Sequence, residues 1–377
     1  MAKEVSMNSI VYIGMDVHKN SFSLCALDKE TGAIILEEKG ASTVKFITQF
    51  VDKIKKMKGN DIEIRTGYEA GCLGYSLYKG LTAKNINCDI LAPTTMYSSV
   101  KKSLNKNDRL DAQHIATNLC NGTYKAVYVI DEKDEEVKEY IRMIGDFKKQ
   151  LTATKQQIQA FLLRNGKKFE DGKNPWTIAY MKWLKKVDLK GLKKETLDEY
   201  VLQYEMMTDK IERFEAKLAE LSQQERYLEP VAHLRCFKGI DTRAAMTMHV
   251  EVSDFSRFPN PKSFAGFLGL TPGDDSSGEK NKKLGITKQG NVTLRKMFIE
   301  SAQAAVRGNP GIKSKKLKAR QKGQDSKVIA YADKCAKRLK HKYTRMIESG
   351  KSKNVAITAV ARELACFVWG METGNID

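Results

Sequence analysis

The chain has 377 residues and is 41% hydrophobic, enough for two or three domains with their own cores. Its 65 Lys and Arg against 46 Asp and Glu leave a net charge of +19, an excess that points to a polyanion such as DNA or RNA. Seven scattered cysteines without a CxxC pair argue against a disulfide framework and against zinc. No apolar run approaches the ~20 residues of a membrane span, and the start, MAKEVSMNS, lacks a signal peptide's apolar stretch, so a cytoplasmic protein is expected.

Residues 1–130 alternate strand-like and helix-like segments. Ile10–Met15, Phe22–Leu27 and Ala33–Glu37 read as strands, with a hairpin turn at Asp28–Gly32. Val44–Met57 has the apolar spacing of an amphipathic helix. Ile62–Tyr68 and Ile86–Leu91 read as further strands, with helices near Leu73–Leu81 and over Leu104–Cys120. The order β-β-β-α-β-α-β-α is that of a ribonuclease-H-like mixed sheet, a fold that carries carboxylates on its first and fourth strands and on a late helix.

Four carboxylates match that placement. Asp16 ends the first strand in GMDVHK, Glu69 follows the fourth in GYEAG, and Asp108 and Asp111 lie three apart in KNDRLDAQ, where a helix presents both on one face. Two Mg²⁺ ions ~4 Å apart need oxygen ligands from several parts of a fold, with room left for phosphate. Any one of the four reads as a solvated carboxylate; together they name phosphodiester chemistry, with Mg²⁺ or Mn²⁺ as cofactor. His114 shares the face of Asp111 and reads as a structural neighbour. His18 reads as a strand-end polar residue within reach of phosphate.

Residues 131–228 change character. Val137, Ile144, Leu151 and Ile158 recur every seven residues, as do Leu197, Tyr204, Ile211 and Leu218. This is coiled-coil patterning on two long helices. Between them Gly166–Lys194, with Trp176, Tyr180 and Trp183, reads as a loop or a short helical insertion at the tip. The pair serves either as a spacer or as an oligomerisation arm.

Residues 229–308 read as a small, mainly helical domain. LRCFKGIDTRAAMTMHVEV turns at Gly239 between two helix-like stretches, in the manner of a helix-hairpin-helix. Asn260 and Pro261 start a helix, and another begins near Asn291. Between them a polar loop, Gly273–Gly290, carries Ser276 and Ser277, with Lys280, Lys282, Lys283, Lys288 and Arg295 around them as nucleic-acid contacts. A serine hydroxyl is a poor nucleophile unless activated, so taken alone this loop reads as a DNA contact. Residues 309–377 form a basic helical tail. From Gly278 to Arg345 there are 20 Lys and Arg against 4 Asp and Glu, a concentration suited to phosphate binding without sequence readout.

GMDVHK, YEAG, KNDRLDAQ, FAGFLGLTP and SSGEKNKKLGITKQGNVTLR, in this order and split by the heptad segment, resemble the DEDD transposases of the insertion-sequence-110 type. The resemblance covers roughly residues 10–165 and 230–308. It implies a RuvC-like N-terminal domain, with Asp16, Glu69, Asp108 and Asp111 as metal ligands. It also implies a second domain in which Ser277, the serine directly before glycine, attacks DNA covalently, Ser276 being the lesser candidate. It further implies double-stranded DNA at the element ends and target, a non-coding bridge RNA that pairs with both, and a homodimer that assembles to a tetramer, with composite sites shared between subunits. The insertion at 166–194 and the basic tail depart from the family pattern.

Three other readings compete. A RuvC-like junction nuclease would use the carboxylates alone. A non-enzymatic module would bind nucleic acid through the tail and the helical arm. An actin-like sugar kinase shares the strand-hairpin-strand start, but the chain lacks a glycine-rich nucleotide loop.

Overall fold

A computed structural model describes residues 9–71, 73–97, 107–169, 174–277 and 280–376, with the backbone alone over 274–277 and 280–283. The chain divides into two compact units, Met1–Val129 and Ile130–Asp377.

The first unit is a five-stranded mixed sheet of order β3-β2-β1-β4-β5, consistent with a ribonuclease-H-like domain. Its strands are β1 (Ile10–Val17), β2 (Ser21–Asp28), β3 (Ile34–Ala41), β4 (Glu63–Glu69) and β5 (Asn87–Leu91). β1 pairs antiparallel with β2 and parallel with β4. The β2–β3 turn is closed by Asp28, whose Oδ1 accepts from the amides of Glu30 and Thr31. β3 runs four residues beyond the Glu37 expected from sequence, because Glu37, Glu38 and Lys39 pair with Cys25, Leu24 and Ser23. Polar residues hide a strand at a sheet edge, where one face meets water.

The period of two decides which helix each side of β1 meets. Val11, Ile13 and Met15 face α1 (Val44–Lys58), which buries Ile47, Phe50, Val51 and Ile54 at helical spacing; α2 (Ser76–Thr82) adds Leu77 and Leu81 to this core. Tyr12 and Gly14 face the other way, onto α3 (Asp108–Asn121) with its buried Ala112, Ile115, Ala116 and Leu119. The sequence placed the start of α3 at Leu104, but residues 104–106 lie outside the described ones. Asn107 caps the helix, accepting from the Arg109 amide at 3.0 Å.

The second unit starts with α4 (Glu132–Arg164), α5 (Ile178–Lys186) and α6 (Leu192–Leu221). α4 and α6 run antiparallel: Lys148 meets Glu215, Thr154 meets Met207 and Phe161 meets Tyr200. At 33 and 30 residues they are about 45–50 Å long. Val137, Ile144, Ile158, Leu197, Ile211 and Leu218 are buried along them. The 166–194 segment contributes α5 and a packed aromatic group at the far end, where Trp176 stacks on Tyr204 at 4.9 Å beside Phe169, Tyr180 and Trp183. Residues 170–173 lie outside the described ones.

The other end of the pair joins the main core. There Val137, Ile141, Ile144 and Leu218 pack with α7 (Glu225–Arg235), α8 (Thr242–Val252), α9 (Pro261–Phe267) and α10 (Val292–Ala305). After α11 (Lys315–Gln321), both α12 (Ser326–Glu348) and α13 (Lys353–Glu372) add to the same core through Val328, Cys335, Leu339, Val360, Leu364 and Val368. α13 is long and apolar enough to cross a membrane, which the search for apolar runs in the sequence did not register. More than half of its most apolar stretch is buried against the rest of this unit.

Candidate metal centre and serine hairpin

The carboxylate group forms where α3 crosses the C-terminal ends of β1 and β4. Met15 and Tyr68 are register partners, so Asp16 and Glu69 are the next residues on adjacent parallel strands, whose spacing is ~4.8 Å. Both emerge on the face opposite the α1 core. α3 approaches β1 with nothing between but Gly14. A Cβ there would lie 2.2 Å from Ala112 O and from the Ala116 amide nitrogen. Asp108 and Asp111 lie in the first turn of this helix, where the helix dipole favours negative charge.

Donor atoms of Asp16, His18 and Asp108 lie within 4.8 Å of one another. His18 Nε2 is 3.1 Å from Asp16 Oδ2 and 3.9 Å from Asp108 Oδ1. Asp111 is near enough for its charge to act on Asp16. Glu69 is solvent-exposed at the strand end. His114 lies back from the group, its Nε2 2.5 Å from the Tyr97 carbonyl oxygen, which ties α3 to the segment after β5.

This donor set fits a divalent cation. Asp16 Oδ2 is screened from water yet has no hydrogen-bond partner, the nearby His18 nitrogen notwithstanding. Burial, with the charges of Asp111 and Asp108, holds the Asp16 carboxyl above its ordinary range even against the opposing pull of His18. A metal ion would reverse that balance. Asp16, Asp108 and Asp111 would hold it, with Glu69 across the strand edge.

Four neighbours, Lys39, Glu37, Arg109 and Gln113, were missed at the sequence level. Lys39 Nζ is 2.7 Å from Asp108 Oδ2 and, by that hydrogen bond, lowers the Asp108 carboxyl. Glu37 accepts from Arg109 Nε at 2.8 Å and from Gln113 Nε2 at 2.7 Å. Together they fasten the first turns of α3 to β3. The reading that ended the strand at Glu37 gave no reason to look at Lys39.

In the second unit, the stretch expected to be a polar loop is largely a hairpin of β6 (Pro272–Ser277) and β7 (Lys280–Ile286). Ser277 pairs with Lys280, Ser276 with Asn281, Asp275 with Lys282 and Asp274 with Lys283. The side chains of Ser276, Ser277, Lys280, Lys282 and Lys283 lie outside the described ones. Lys288 is exposed, in the left-handed region at φ 56. Arg295 turns inward, donating from Nη1 to Leu268 O at 3.0 Å and to Gln289 O at 3.4 Å, so it braces the return from β7 to α10.

Behind the hairpin lies a buried charge group that the sequence did not signal. Glu251 on α8 accepts from Asn291 Nδ2 at 2.7 Å and from Arg142 Nε at 3.2 Å, with Lys138 Nζ at 3.8 Å. Asn291 in turn caps α10, accepting from the Leu294 amide at 3.0 Å. Burial pushes the Lys138 ammonium down against the pull of Glu251. Glu251→Gln should cost about 2–3 kcal/mol in chemical denaturation, less than the 3–5 of a fully buried pair because Arg142 reaches solvent. A loss under about 0.5 kcal/mol would show that the group does not hold α4 to α8.

Two family models match the chain: a DEDD transposase model of IS110 type over residues 13–165, and one described as the transposase IS116/IS110/IS902 family over residues 231–316. The first spans the carboxylates and the second spans the hairpin. A transposase of Sinorhizobium fredii is 34% identical over 304 residues, covering 81% of this chain and 74% of the relative. The chain belongs to the IS116/IS110/IS902 family of transposases. The transposase for insertion sequence element IS1533 of Leptospira borgpetersenii is 29% identical over 351 residues, covering 92% of this chain and 99% of that one. The transposase for IS1111A of Coxiella burnetii is 25% identical over 339 residues, covering 88% and 89%. Transposases cut DNA and transfer its strands, and a DEDD domain implies use of a divalent metal.

Proposed function

We propose that this transposase moves its insertion sequence with a divalent metal, Mg²⁺ or Mn²⁺, and a serine nucleophile. Asp16, Glu69, Asp108 and Asp111 hold the metal, and Ser277, with Ser276 as the alternative, attacks DNA. The observation that supports this most is the grouping of Asp16, His18 and Asp108 donors within 4.8 Å, with Asp111 beside them.

Bound metal would neutralise charge on the phosphate and lower the barrier to displacement. In the covalent step the Ser277 hydroxyl oxygen bonds to phosphorus as the bond from phosphorus to the leaving strand's oxygen breaks. The hydroxyl proton passes to a base, and the leaving oxygen takes up a proton. Lys280, Lys282, Lys283 and Lys288 grip neighbouring phosphates, as does Arg295 with the donors left over from its backbone bonds.

In the same reading a structured bridge RNA pairs with element and target DNA and chooses the sequence, and a net charge of +19 suits two polyanions. The working assembly is a dimer that becomes a tetramer in the cytoplasm. Its parts are a RuvC-like domain over 1–130, a helical arm over 131–228, a serine domain over 229–308 and a basic tail over 309–377.

The test is PCR across the excised-circle junction in cells carrying the element. Wild-type protein is expected to give the junction, and Asp16→Ala and Ser277→Ala to give none. A junction that survives both Ser277→Ala and Ser276→Ala, but not Asp16→Ala, would replace this reading with a metal-dependent junction nuclease that forms no covalent adduct.

A further inference from the structure

Beside the turn from α7 to α8 lies a cavity of about 460 Å³. Lys238 and Gly239 of the turn line it, with Arg307 and Asn309 after α10, and Ser314 and Arg320 at α11; among the described residues no acidic one does so. Gly239 has φ +97, and a Cβ there would lie 2.4 Å from Ser301 O, so the turn is glycine-specific and held tight against α10.

Two of the cations that line this cavity, Lys238 and Arg320, are tied to main-chain oxygen. Lys238 Nζ donates to Arg307 O at 2.5 Å, and Arg320 Nη1 donates to Ile240 O. A third cation, Lys340, donates from Nζ to Val306 O at 2.9 Å. Such bonds fix the head groups in place but leave their charge uncompensated. Arg320 Nε is screened from water and has no hydrogen-bond partner, and the same holds for Arg235 Nε nearby. The acid whose charge acts on Arg320 is Asp241, at the exposed cap of α8, while Asp333 is engaged by Lys313. Desolvation depresses both Lys238 and Arg320, and each is further lowered by a neighbouring cation, Lys340 and Arg235. An anion with several acceptor oxygens would relieve that repulsion.

We propose that this cavity holds one phosphodiester of the DNA backbone, gripped by Lys238, Arg307 and Arg320. The inference rests on the reading of the chain as a DNA strand-transfer enzyme. It adds a sequence-independent anchor in the second unit, separate from the hairpin lysines. Phosphate contacts of this kind set position and register, and base choice is made elsewhere.

The experiment measures binding of the full-length protein to a labelled duplex of arbitrary sequence, and to RNA of equal length, over a range of salt. The variants are Lys238→Gln/Arg307→Gln and, because Lys238 also ties down a backbone oxygen, Arg307→Glu alone at an exposed side chain. Lys217→Gln on α6 serves as the control for loss of one charge. Loss of one phosphate contact should flatten the slope of log K against log salt by ~0.9, weakening every duplex alike, while the control keeps the wild-type slope. Unchanged slopes in both variants would overturn the site and leave the functional reading standing. A loss seen on RNA alone would overturn the assignment to DNA. Wild-type protein that binds no duplex would overturn both the site and the functional reading.

Discussion

Asp16→Asn should abolish excision while making the metal-free protein more stable. The side chain keeps its shape but loses the charge that burial and the neighbouring Asp111 and Asp108 disfavour. The direction follows from linkage. A carboxyl whose folded pKa lies above its ordinary 3.8 binds more protons folded than unfolded between the two values. Its contribution to stability is therefore present at low pH and is lost as pH rises through that window. At neutral pH the ionised Asp16 weighs against folding, and Asn removes that weight. Metal restores the balance in the wild type, where binding at a hundred times Kd adds about 2.7 kcal/mol. Thermal melts should thus show wild-type protein rising with Mn²⁺ or Mg²⁺, and Asp16→Asn starting higher but responding little. Strand cleavage should fall by ~10²–10³ or more, as it does when one group that stabilises developing charge is removed. A variant that cleaves normally and still responds to metal would remove Asp16 from the centre.

Gly14→Ala should be among the most damaging single-methyl additions in the first unit. The new Cβ would meet Ala112 O and the Ala116 amide nitrogen at 2.2 Å, both backbone atoms of α3 that cannot turn aside. The helix must move off the sheet, which costs at least ~3 kcal/mol, the upper end for overpacked cores, and takes Asp108 and Asp111 with it. Gly67→Ala on β4 provides the contrast. Its Cβ would meet the side-chain methyls of Leu119 and Leu91 at 2.8 Å, groups able to rotate, so its loss should be markedly smaller. Urea denaturation of the two variants decides the matter. Equal losses would mean that the close approach of α3 is not what sets the position of the carboxylates.

The meeting of Asp16 with Asp108 and Asp111 was expected because the order of elements matches a ribonuclease-H-like sheet, a fold that carries carboxylates on its first strand and on a late helix. A strand end fixes the first, and a three-residue spacing on a helix aligns the other two. The fastening of that helix could not be read. Lys39 and Asp108 lie 69 residues apart and Glu37 and Gln113 lie 76 apart, and neither pair belongs to a periodic pattern. The serine hairpin was hidden for a different reason. Its strands are short, polar and rich in lysine, so they lack the alternation by which a half-buried strand announces itself. Glu251 drew no notice in the sequence because only its tertiary neighbours, Arg142 and Asn291, reveal that it is buried. The basic stretch after residue 309 read as an appendage from its charge, whereas the buried faces of α12 and α13 make it part of the second core.

That last arrangement bears on the order in which the protein matures on the ribosome. The first unit is a continuous stretch ending at Val129 and can fold while the remainder is still being made. The second core draws on Val137 near its start and on Val368 and Met371 near its finish, so it cannot close until nearly the whole chain has emerged. A gene copy interrupted shortly before the codon for Lys353 would therefore yield a protein with a finished first unit and an unfinished second one. Such a product would keep the carboxylate group but lack the second core, and its exposed apolar helices would mark it for proteolysis.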